Sequence, residues 1–116
     1  MTWRLAFIAI LAWSGILLIY LVPAHAADTC RNPSNWRELL PPAKYQHEPH
    51  MAFRWASSAK LMKAIAGVVE PGWIAYGHYG VTSKVIYICP GLTGKALWAV
   101  RMHEEAHAMG WRHPER

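Results

Sequence analysis

The stretch His103-Glu104-Glu105-Ala106-His107-Ala108-Met109-Gly110-Trp111-Arg112-His113 constrains this chain more than any other. Its spacing reads H-E-x-x-H-x-x-G-x-x-H. Ala99, Met102, Ala106 and Met109 recur at helical intervals, which predicts a helix from about Lys95 to Met109. His103 and His107 then lie about one turn apart on a shared face. His113 cannot join them from the same helix, because ten further positions would carry it about 15 Å along the axis. Gly110 offers the way out: glycine just past a helix end accepts the left-handed conformation without a Cβ clash, so the chain can stop and fold back.

Three imidazoles brought together in this way can each approach a single ion at roughly 2.0 to 2.1 Å and fill three corners of a tetrahedron. The fourth corner stays open for water, which separates a catalytic zinc site from a closed structural one. Glu104 projects beside the ligands and reads as the general base that takes a proton from the attacking water. With 7 His, 8 Gly and 6 Glu in 116 residues, these five fixed letters would arise by chance in about one such chain in ten thousand.

The motif resembles the extended zinc signature of metzincin metallopeptidases, and its shorter H-E-x-x-H core is that of zincins generally. The resemblance covers residues 103–113 and implies His103, His107 and His113 as ligands of Zn2+ with Glu104 as catalytic base. The metzincin pattern continues to a downstream methionine turn. Here Pro114, Glu115 and Arg116 follow, and Met109 lies inside the motif. That departure supports an alternative, a non-catalytic zinc-binding protein of the cell envelope or its assembly, and leaves room for a protein partner that completes the pocket.

The start of the chain predicts export. Leu5 to Val22 is an uncharged run of eighteen residues preceded by Arg4, and an A-x-A ending at Ala26 follows. Residues 1–26 therefore read as a secretory signal peptide cleaved before Ala27, or as a membrane anchor through residues 5–22 that is retained. Either way residues 27–116 form one domain outside the cytoplasm, secreted or periplasmic. Losing Arg4 takes the net charge from +5 for the whole chain to +4. Lys and Arg are scattered rather than clustered, which gives no nucleic-acid footprint. A domain of this size buries a modest core and gains from a staple. Cys30 and Cys89 are expected to pair in an exported chain, the competing reading being two unpaired buried thiols or a thiol near the metal.

Between these ends, Pro33 to Leu40 is expected to be a short helix stopped by Pro41-Pro42. Its Trp36, Leu39 and Leu40 would pack the arm on the domain. His47 and His50 flank Glu48 and suit either solvated loop residues or a second metal site. Phe53 to Ala66 reads as an amphipathic helix ending at Gly67. Val68 to Ile88 changes to a strand pattern with a Thr82-Ser83-Lys84 turn, predicting two antiparallel strands. Val85 to Cys89 is a candidate sheet edge for extended substrate, by resemblance to zincins and by strand addition. Tyr76, His78, Tyr79 and Tyr87 are candidate donors to a developing oxyanion. The expected fold is α+β: a small zincin-like domain with a short antiparallel sheet, flanking helices and the motif helix near the C-terminus. The expected activity is hydrolysis of peptide or amide bonds in a peptide or protein substrate.

Overall fold

The computed structural model describes residues 28–67 and 74–114. The expected leader and Val68 to Trp73 lie outside the described residues. In chain order come two short 3-10 helices, Trp36–Leu39 and Ala43–Tyr45, then strand β1 (Arg54–Trp55) and helix α1 (Ala59–Ala66). Strands β2 (Gly77–Tyr79) and β3 (Ile86–Ile88) and helix α2 (Gly94–Ala108) complete it. The fold is α+β, with two α-helices and one three-stranded sheet among the described residues. No helix among the described residues is long and apolar enough to cross a membrane.

The sheet order is β1-β3-β2. β2 and β3 are antiparallel as expected, pairing His78 with Tyr87. β1 adds to the other side of β3 in parallel, Trp55 opposite Ile88, so the sheet is mixed. This topology overturns one expectation: β3 is the central strand, and among the described residues the edges belong to β1 and β2. The Val85 to Cys89 run is too apolar for an edge. Ile88 and Cys89 are fully buried and Ile86 nearly so, and a strand bonded on both sides has no free backbone to offer a peptide.

The expected helix over Phe53 to Ala66 is divided. Its first part pairs with β3, where Ala56 N–H continues the ladder onto the Ile88 carbonyl at 2.9 Å. The helix begins only after Ser58, whose hydroxyl accepts from Leu61 N–H at 3.0 Å and caps the end. Periodicity pointed to one helix because Trp55 continues the apolar stripe, but Trp55 is held in the sheet opposite Ile88 and the N-cap at Ser58 sets where the helix starts. At its other end α1 stops at Gly67 (φ 79°), as read from the sequence.

The arm before β1 is likewise less helical than expected, because prolines at 41 and 42 leave only single turns on either side. It is nonetheless docked. Trp36 meets Trp98 of α2 edge to face at 6.2 Å. Asn32 clasps Thr93, ahead of α2, through its side-chain amide to the Thr93 hydroxyl (2.8 Å) and its side-chain carbonyl to Thr93 N–H (2.9 Å). The Cys30–Cys89 disulfide joins the arm to the end of β3 across 59 positions. A loop of that length constrains the unfolded chain by about 4 kcal/mol in the chain-entropy account. Both cysteines lie in the core with Ala56, Met62, Ile86, Ile88, Leu92 and Val100. α2 packs on this core through Val100, which leaves another of its faces to carry the motif.

Candidate metal centre

α2 ends in a Schellman turn centred on Gly110. Trp111 N–H donates to the Ala106 carbonyl and Gly110 N–H to the His107 carbonyl, both at 3.0 Å. Gly110 adopts φ 107°, in the region closed to most side chains. The chain reverses there as the motif requires, and His113 returns to the helix. Its Nε2 lies 3.2 Å from Nε2 of His103 and 3.2 Å from Nε2 of His107. Ligand nitrogens about 2.05 Å from a tetrahedral ion stand about 3.3 Å apart, so the spacing fits. The three side chains could hold a metal ion.

The other ring nitrogens fix the direction of these lone pairs. Nδ1–H of His103 donates to the Leu39 carbonyl at 2.6 Å, and Nδ1–H of His107 donates to the Trp111 carbonyl at 2.7 Å. Each bond assigns the proton to Nδ1 and leaves Nε2 as a ligand in the neutral ring. The first acceptor comes from the end of the arm's 3-10 helix, and the second from the turn that delivers His113. In the metal-free protein, burial keeps His103 neutral, lowering its pKa to about 4; neighbouring His107 and His113 reinforce this and the Leu39 carbonyl opposes it. His107 is lowered for the same main reason, with His113, Arg112 and His78 adding to it and the Trp111 carbonyl opposing. Neutral imidazole is the form that binds a metal.

Trp111 touches all three histidines. Its ring stacks on His107 at 4.7 Å with the planes 8° apart, stands edge-on to His103 at 4.9 Å and lies 4.6 Å from His113. The sequence reading passed over it, since it occupies a variable position of the motif. The signal was its place directly after the glycine, where the returning chain must cross the histidine face.

Glu104 is 4 % exposed and lines the same cleft as the histidines. Burial pushes its carboxyl up to about 8 in the metal-free protein. Gly77 explains how it fits. A Cβ at that position would stand 2.9 Å from Cγ1 of Val100 and 3.0 Å from Cγ of Glu104, so glycine lets α2 lie directly against β2. Sequence reasoning read Gly77 only as a break in a strand.

The cleft has a volume of about 950 Å³ and runs between α2 and β2. Of the four candidate oxyanion donors, Tyr76, His78 and Tyr79 line it and Tyr87 does not. Tyr87 sits on the central strand, opposite His78. Ile74 and Val81, 60 % and 63 % exposed, supply an apolar part of the lining. Cys30 and Cys89 are bonded to each other, so neither thiol is a ligand. His47 and His50 gather instead with Glu105. The chain has no match among protein-family models, curated proteins or solved structures.

Proposed function

We propose that the protein is an exported zinc-dependent metallopeptidase. The observation that carries this reading is the convergence of three Nε2 atoms, two of them with Nδ1–H tied to backbone carbonyls, beside a buried carboxyl in an open cleft. His103, His107 and His113 would hold the zinc, three imidazoles being a donor set this ion favours. Zinc in such a site polarises the scissile carbonyl and acidifies water.

The protein's own groups do the rest. Glu104 takes a proton from the attacking water and returns it to the departing amine. The preference of Glu104 for its neutral form belongs to the metal-free protein; the charge of a zinc ion held beside it would favour the carboxylate that a base requires. Among the described residues β2 is an edge strand on the cleft side, lined by Gly77, His78 and Tyr79, so an extended peptide can add to it with its scissile bond toward the histidines. The apolar lining at Ile74 and Val81 favours a substrate with an apolar side chain there. Tyr76, His78 and Tyr79 are the available donors to the oxyanion. The disulfide belongs to an oxidising compartment, which supports export.

A peptide library tests the reading. Wild-type protein loaded with zinc should cleave it. Glu104→Gln should keep its zinc and lose activity by 10²-fold or more. Bound zinc with no cleavage by the wild type would replace this reading with the non-catalytic metal-binding one.

A further inference from the structure

Glu105 follows the proposed base by one residue, yet it points elsewhere. Two positions beyond His103 is about 200° around the helix, so Glu105 leaves α2 on the side away from the three histidines. Its side chain is 1 % exposed. Oε1 accepts from the backbone N–H groups of His50 and Met51 at 3.1 and 3.2 Å, which folds residues 47–51 around the carboxylate. Oε2 is buried with no hydrogen-bond partner. A buried carboxylate with one oxygen unmatched carries a desolvation cost that a cation would offset.

Two imidazoles stand where that cation would be. Nε2 of His47 is 3.3 Å from Oε1 of Glu105, and Nδ1 of His50 is 3.4 Å from the same oxygen, beside the Glu48 carbonyl at 3.4 Å. Nδ1 of His47 lies 2.9 Å from the Tyr45 carbonyl and so carries the ring proton. In the neutral ring Nε2 then presents a lone pair to a carboxylate oxygen. Two acceptors facing each other at 3.3 Å repel unless a cation lies between them. The carbonyl-tethered imidazole is the same arrangement that orients His103 and His107, and it is the common outer-shell device of metal-binding histidines. One ligand atom from each of His47, His50 and Glu105 lies within 4.8 Å of the others.

We infer that His47, His50 and Glu105 form a second, structural metal site, with two nitrogens and one oxygen suited to zinc or a similar first-row divalent ion. It pins residues 47–51 to the back of the helix whose front carries the first site. Helix α2 is thus held between two ions. His50 is the residue through which to test it, because its side chain is 71 % exposed and its loss removes little packing.

Zinc chloride titrated calorimetrically into chelator-stripped full-length protein should give two equivalents for the wild type and one each for His50→Ala and His113→Ala. His50→Ala/His113→Ala should bind none with comparable affinity. Circular dichroism of each metal-free variant establishes that it folds, and Glu105→Gln, which keeps an acceptor for the two backbone N–H groups, serves as the second variant and should also bind one equivalent. One equivalent in the wild type, lost entirely in His113→Ala, would overturn the second site. Two equivalents that persist in both His50→Ala and Glu105→Gln would overturn it as well. Neither result counts against the first site, which His113→Ala reports separately.

Discussion

Glu104 and His103 are neighbours whose environments act in opposite directions. Burial raises the carboxyl of Glu104 to about 8 and lowers His103 to about 4, so in the metal-free protein each favours its neutral form. His103 costs stability as pH falls from 6.5 toward 4, because the unfolded chain takes up a proton that the folded one refuses. Glu104 costs stability as pH rises from 4.5 through 8, because the folded chain retains a proton that the unfolded one has given up. Between pH 6.5 and 8 the second effect stands alone. Thermal unfolding of the metal-free protein should therefore show a loss of about 1 to 2 kcal/mol across that window. In metal-free Glu104→Gln the loss should be absent; an equal slope in both would place the titrating group elsewhere. Gly77 is the second residue on which the geometry depends. A methyl group there meets Val100 and Glu104 near 3 Å, so Gly77→Ala must push α2 off β2 or turn the carboxyl aside. Displacing a reacting group by about 1 Å costs about 10²-fold in rate. Gly77→Ala should lose activity on that scale while keeping its zinc; loss of zinc with it would mean that the whole helix had moved.

At the level of elements, the arm is part of the site as well as packing. The Leu39 carbonyl at the end of a single 3-10 turn orients His103, and the Trp36–Trp98 contact holds that turn on α2. Trp36→Ala should free the arm and lower zinc affinity about 10- to 100-fold, the scale on which outer-shell partners act, as read by competition with a chromophoric chelator. Unchanged affinity would show that His103 needs no tether. The stripe of Trp36, Leu39 and Leu40 announced that the arm docks, but not that a backbone carbonyl does the orienting, since every residue carries one. The motif helix and its glycine stop were legible because they depend on local chemistry: an apolar 3.6-residue period and one residue that tolerates positive φ. The division of Phe53 to Ala66 into a strand and a helix was not, because pairing with Ile88 lies more than thirty residues away and outweighs local periodicity. For the same reason the sequence could name β3 as a strand without saying that it is central. His47 and His50 were visible as candidates, whereas Glu105, hidden as a variable letter of the motif, was not.

On the scale of the molecule, the disulfide, the Asn32 clasp and the tryptophan pair all attach the N-terminal arm to the sheet or to α2, so the first site draws on both ends of the described chain. His103 and His107 come from a helix, His113 from a turn and the Leu39 acceptor from the arm; a core of this size holds them only because these cross-connections do. Zinc chemistry at this site requires His113 to meet the other two imidazoles. X-ray absorption at the zinc edge, recorded on His50→Ala loaded with one equivalent of zinc, tests this most directly, because that variant leaves the first site alone. The spectrum should show three imidazole nitrogens and one further light ligand at about 2.0 to 2.1 Å, whereas His50→Ala/His113→Ala should retain no zinc at comparable affinity. Only two imidazoles in His50→Ala would contradict it.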